Sequence, residues 1–259
     1  MKATSRDGTT LAYNKAGQGP AVILVDGAIC SRSLGPMADL VPFLAEQFTV
    51  FHYDRRGRGD SSDAPTYAPS REVEDLNAMI EAAGGSAMVV GMSSGAALAG
   101  LTAAEGSKIT KLVMCEPPYQ IEASAKADQV RKVQVLNDLI KQDKRNEAVA
   151  YFQVDIVGIP RFVPWILRLT PMWPKLKAVA PTLRYDMEIL GDGGVPSSLS
   201  RIRIPTAVLG GGKSAPILRN AVDAAAAAIP GAQKIILPDQ SHNFVAKKVA
   251  PKLIEFLKS

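Results

Sequence analysis

Short unbroken apolar runs alternate along this chain with amphipathic stretches. Ala21 to Val25 reads Ala-Val-Ile-Leu-Val, the pattern of a strand buried on both faces. Similar runs occur at Phe48 to Tyr53, Ser86 to Val90, Lys111 to Cys115, Pro205 to Leu209 and Lys234 to Leu237. Thr9 to Lys15 alternates apolar and polar residues after an Asp7-Gly8 turn, which predicts an opening strand. Helical patterns fall between the runs. Gly35-Pro36 opens one that extends to about Glu46. Pro69-Ser70 opens another, with Val73, Leu76, Met79 and Ile80 on one face and Glu72, Glu74 and Asp75 elsewhere. Small residues from Ala96 to Glu105 predict a third, and two more follow from about Ala215 to Ala228 and from Val245 to Leu257. Strands alternating with helices imply a mostly parallel sheet with right-handed crossovers.

The alternation lapses from about Tyr119 to Ser200, where no strand pattern is found. Helical patterns fill Ser124 to Gln142 and Asn146 to Asp155. A Trp/Pro-rich stretch from Pro160 to Pro181 predicts short helices between prolines. The fold class expected is therefore α/β: a mostly parallel sheet flanked by helices, with an inserted helical cap. Residues 1–118 and 201–259 form the core domain in this reading, and 119–200 form the cap.

Composition narrows the function. A chain of 259 residues, 47% hydrophobic, can build one large α/β core with an insertion. The net charge of +5 is spread among acids, and Arg55-Arg56-Gly57-Arg58 is the only dense basic cluster. No one-sided basic patch favours nucleic acid. No apolar run is long enough to span a bilayer, and the N-terminus does not resemble a signal peptide. Two cysteines, Cys30 and Cys115, make no disulfide framework, so a cytoplasmic setting is expected. Two distant histidines without a Cys partner at ligand spacing imply no metal, and no cofactor motif is found. A monomer or modest homo-oligomer is expected.

The chemistry centres on Gly91-Met92-Ser93-Ser94-Gly95. It reads G-x-S-x-G between a strand and a helix, the setting of a nucleophile elbow. Three further motifs accompany it in order: Val25-Asp26-Gly27 after an early strand, Asp54-Arg55-Arg56-Gly57-Arg58-Gly59-Asp60-Ser61 after the next, and Ser241-His242-Asn243-Phe244 near the end. Over nearly its whole length the chain resembles the α/β-hydrolase superfamily. The resemblance implies about eight strands, a serine nucleophile, a histidine base, an acid and an oxyanion hole.

Matched residue by residue, the resemblance makes Ser93 the nucleophile and His242 its base, since a serine hydroxyl needs a proton acceptor within reach. His52 lies inside an apolar strand and reads as a packed or hydrogen-bonded core residue. The family's usual Asp after the strand ending at Leu209 is absent; Ser214 stands about there. Some relatives take the acid from the loop after the strand that follows the elbow, which makes Glu116 the choice, with Asp239 as the alternative. The oxyanion donors expected are the N–H of Ser94 and that of Ala28 or Ile29. Asp26 stands where the family commonly has His; it either points away and braces the loop or is protonated and donates a proton. Met92 and Ile29 are expected at the pocket, with Asp26 beside it. Phe152, Phe162, Trp165, Leu169, Met172 and Trp173 roof that pocket or form the insertion's own core. In the Asp54 to Ser61 motif the charges are expected to serve structure.

These residues point to a serine hydrolase of a carboxylic ester, thioester or lactone, acting on an apolar or aromatic small molecule. The alternative keeps the fold and uses Ser and His as acid and base, as in cofactor-free lyases, C–C hydrolases and dioxygenases. A non-catalytic ligand-binding protein is the third reading.

Overall fold

The computed structural model describes the backbone of all 259 residues and every side chain except those at positions 123, 125 and 126. Strands β1 (Lys2–Thr4), β2 (Thr10–Ala16), β3 (Ala21–Val25), β4 (Thr49–Tyr53), β5 (Ala87–Met92), β6 (Ile109–Cys115), β7 (Thr206–Gly211) and β8 (Gln233–Leu237) make one sheet. Its order is β1-β2-β4-β3-β5-β6-β7-β8. β1 and β2 pair antiparallel at one edge, and β2 meets β4 antiparallel. Every other pairing is parallel. The eighth strand implied by the resemblance is β1, three residues whose half-exposed pattern is too short to read as a period.

Helices cover both faces. α1 (Pro36–Leu44) and α10 (Ala246–Lys258) lie on one side; α2 (Pro69–Ala82), α3 (Ser94–Ala104) and α9 (Pro216–Ala228) lie on the other. The division is visible along β3. Val22 and Leu24 pack in the layer of α1 and α10, while Ile23 and Val25 pack in the layer of α2 and α3. Two-sided burial thus hides a strict strand period inside a continuous apolar run.

Between β6 and β7 the chain forms α4 (Ala123–Lys141), α5 (Arg145–Tyr151), a π-helical turn over Phe152–Ile156, α6 (Phe162–Leu167), α7 (Met172–Val179) and α8 (Leu183–Leu190). The π turn widens the helix at its end and turns Phe152 and Ile156 inward. No described helix is long and apolar enough to cross a membrane.

Parallel neighbours β3, β5, β6, β7 and β8 share one carboxyl edge. The loops carrying Asp26 to Ile29, Ser93, Glu116, Ser214 and His242 all leave from it. Ligands bind α/β sheets along such an edge.

Candidate active site

Ser93 links β5 to α3 with φ 55 and ψ −124. Among the described residues only four other than glycine have positive φ, and three of them are Ile29, Ser93 and Glu116. Each such conformation costs about 1–3 kcal/mol and persists only where the surroundings enforce it. At Ser93 the enforcement is visible. Its N–H donates to the Cys115 carbonyl at 2.8 Å, tying the elbow to the end of β6. A Cβ on Gly95 would stand 2.4 Å from the Val25 carbonyl oxygen and 2.5 Å from that of Asp26. Only glycine lets α3 start this close to the end of β3.

His242 lies on the loop after β8, about a third exposed. Its Nδ1 is 2.6 Å from Glu116 Oε2. Glu116 is fully buried at the end of β6. Its other oxygen, Oε1, accepts the Gly211 N–H at 2.7 Å and the Ser214 hydroxyl at 2.5 Å. Burial is the largest influence on the Glu116 carboxyl and raises its pKa. The bonds from His242, Ser214 and Gly211 together outweigh it and hold the group below its ordinary value. Glu116 therefore faces the imidazole as a carboxylate. Asp239, the alternative acid, is exposed on the surface and pairs with Lys248.

Ser93 and His242 line two adjoining cavities, of about 140 Å³ and 150 Å³. Ala28, Phe152 and Val157 border both as well. The first cavity continues past Ser94, Met187, Leu190, Ile217 and Leu218; the second past Ile29, Cys30, Met92 and Ile159. Gln120 and Gln129 add polar edges to the first, and no Asp, Glu, Lys or Arg lines either cavity. Burial pushes the Cys30 thiol up to about 12, so it lines the wall as a neutral group. Ser94 is the first residue of α3, so its N–H has no acceptor within the helix. The N–H groups of Ala28 and Ser94 take part in none of the described turn and loop bonds. Among the described residues no group of three or more His, Cys, Asp or Glu side chains could hold a metal ion.

Three expected pocket residues lie elsewhere. Asp26 is buried, but its Oδ2 meets His52 Nε2 at 2.6 Å on the neighbouring strand, and it lines neither cavity. Its carboxyl pKa is raised by burial, against the pull of His52, Arg58 and Arg55. Trp165 is 65% exposed and borders a separate surface groove with Tyr151, Arg161 and Arg168. Trp173 packs against Val149, Leu176 and Ala180, and its indole donates to Asn146 at 2.8 Å. For both tryptophans, the register of short proline-broken helices decides the direction, and no local pattern encodes it.

Sequence reasoning missed one cluster. Arg55 Nε and Nη2 grip Glu72 at 2.6 and 2.7 Å, and Arg55 Nη1 meets Asp186 at 2.7 Å. Arg58 Nη2 meets the other Asp186 oxygen at 2.7 Å, and its Nη1 donates to the Gly27 carbonyl at 2.7 Å. All four side chains are essentially fully buried. A run of arginines in a loop gives no sign of burial, and Glu72 and Asp75, expected off the apolar face of α2, are both buried, each gripped by an arginine of the loop.

The profile of the Alpha/beta hydrolase family matches residues 27–248, and the chain belongs to that family. An alpha/beta hydrolase from Sphaerobacter thermophilus is similar to it at 43% identity, over 99% of this chain and 100% of that one, with a TM-score of 0.90. The fold is shared at lower identity with an esterase from Exiguobacterium antarcticum (18%, 100% and 99% covered, TM-score 0.78). It is also shared with the enol-lactonase from Burkholderia xenovorans (20%, 100% of both chains, TM-score 0.72). No curated protein matches the chain.

Proposed function

We propose that the protein is a serine hydrolase that cleaves a carboxylic ester, thioester or lactone of an apolar small molecule through an acyl-enzyme on Ser93. The observation that carries this reading is the His242–Glu116 bond beside the strained Ser93, at the junction of two apolar cavities. Glu116 occupies Nδ1, which leaves Nε2 to exchange a proton with the Ser93 hydroxyl. Ser93 Oγ attacks the carbonyl carbon as His242 takes its proton. The oxyanion is held by the N–H groups of Ala28 and Ser94, each worth about 3 kcal/mol. The tetrahedral species collapses, His242 protonates the leaving oxygen or sulfur, and the acyl group stays on Ser93. Water then repeats the sequence and frees the acid. The Glu116 carboxylate stabilises the imidazolium formed in each half.

The lining supports an uncharged substrate with an apolar or aromatic group on each side of the carbonyl. An apolar cavity of about 150 Å³ accommodates benzene, which sets the scale of each arm. Residues 119–200 act as a cap in this proposal, since Phe152, Val157, Met187 and Leu190 wall the cavities. Closing the site from water strengthens the oxyanion contacts. Asp26 bonds His52 and lines neither cavity, which supports the covalent route over its use as a proton donor. Esterase and lactonase activities among proteins of the same fold agree with carbonyl chemistry.

The test is covalent labelling with a fluorophosphonate, followed by peptide mapping, alongside turnover of short p-nitrophenyl esters. Labelling at Ser93 with ester turnover is expected. An unlabelled Ser93 with no turnover of any ester in the series sinks the reading.

A further inference from the structure

We propose that Asp186, on α8 in the segment between β6 and β7, is a positioning residue that aims both N–H donors of the oxyanion hole. The inference rests on Ser93 being the nucleophile. Asp186 is fully buried and accepts three bonds. The Ser94 hydroxyl and Arg55 Nη1 each reach Oδ1 at 2.7 Å, and Arg58 Nη2 reaches Oδ2 at 2.7 Å.

Each bond continues to one side of the oxyanion hole. Arg58 Nη1 donates to the Gly27 carbonyl at 2.7 Å, and Arg55 Nη1 to the Asp26 carbonyl at 3.2 Å. The Gly27 carbonyl and the Ala28 N–H belong to one planar trans peptide, in which they point opposite ways. Holding the carbonyl toward Arg58 therefore turns the Ala28 N–H the other way. Gly27 itself lies against the nucleophile, since a Cβ there would stand 3.0 Å from Ser93 Cβ. A guanidinium on the carbonyl also polarises the peptide and strengthens the N–H as a donor. On the other side, Asp186 fixes the side chain of Ser94, the residue that supplies the second N–H.

The cluster is electrically complete: two guanidiniums face Asp186 and Glu72. All four side chains are buried, so each charge depends on its partners within the cluster. α8 also carries Met187 and Leu190 to the cavity wall. The helix that walls the substrate cavity is thus the one that sets the donors, so seating of the insertion and stabilisation of the oxyanion are one event.

The experiment compares the full chain with Ser94→Ala, Arg58→Met, Arg58→Lys and Asp186→Asn, at a temperature where melting curves show each folded. It measures kcat and KM on a p-nitrophenyl ester and the affinity for phenylboronic acid, which forms a tetrahedral adduct on the serine. Arg58→Met should lower kcat and boronate affinity together by about 10- to 100-fold, as misplacement of a reacting geometry does, with KM nearly unchanged. Arg58→Lys should recover part of the loss. Ser94→Ala removes one tie without stranding a charge, so it keeps the test open if Asp186→Asn or Arg58→Met fails to fold; it should show the same paired loss, smaller in size. Unchanged kcat and boronate affinity, or a loss confined to KM, overturns the positioning role while a fluorophosphonate-labelled wild type leaves the hydrolase reading standing. A wild type that is neither labelled nor active overturns both.

Discussion

The hydroxyl of Ser214 donates to Glu116 Oε1 at 2.5 Å, while His242 Nδ1 meets Oε2 of the same carboxylate at 2.6 Å. Ser214, about where the resemblance leads one to expect an Asp, thus braces the carboxylate that meets His242. A buried carboxylate with three donors is anchored in one orientation, and the imidazole follows it.

Replacing Glu116 by Gln keeps the shape and removes the charge. An amide can present its NH₂ to Nδ1 and select the wrong tautomer. The expected loss in kcat is about 10⁴-fold with KM little changed, measured by steady-state ester hydrolysis. Ser214→Ala keeps the carboxylate charge and two of its three donors, so the same assay should show a far smaller loss in kcat.

Asp26 sits outside both cavities with its carboxyl on His52. Asp26→Asn is therefore expected to retain kcat within about tenfold, a change of 1.4 kcal/mol in the barrier. A loss near that of Ser93→Ala, in the same kinetic assay, would restore Asp26 as a proton donor.

Asp186 makes a pH prediction with a definite sign. Burial alone raises its pKa, but Arg58 and Arg55 hold the carboxyl below the ordinary value of 3.8 in the folded protein. As pH falls, the unfolded chain takes up the proton first. The stabilisation is therefore present above about pH 4 and lost as pH falls through the folded pKa. At neutral pH, Asp186→Asn should cost about 3–5 kcal/mol, as expected when one partner of a buried ion pair is removed. The gap between variant and wild type should narrow below about pH 4, read from urea unfolding midpoints.

Gly95→Ala places a methyl group within 2.5 Å of two backbone carbonyl oxygens at the end of β3. Backbone cannot yield as a side chain does, so a loss of about 1–3 kcal/mol in unfolding free energy is expected. The shift of α3 should also slow labelling of Ser93.

By itself the sequence determined the sheet and its elbow. Continuous apolar runs can be satisfied only between two helical layers, and G-x-S-x-G between strand and helix is local chemistry, complete within five residues. Glu116 was reached only through the resemblance, and it is the tertiary structure that brings its carboxylate to His242 Nδ1, 126 positions away. The half-exposed β1 was not legible, and neither were the directions of Trp165 and Trp173, which follow from how short helices seat on one another. Only the tertiary structure joined Asp186 to Arg55, 131 positions apart, and through Arg58 to the Gly27 carbonyl. A loop arginine and a helical aspartate carry no local sign of their partner. Burial makes the pairing obligatory, because a charge removed from water must find its opposite wherever the fold has brought one.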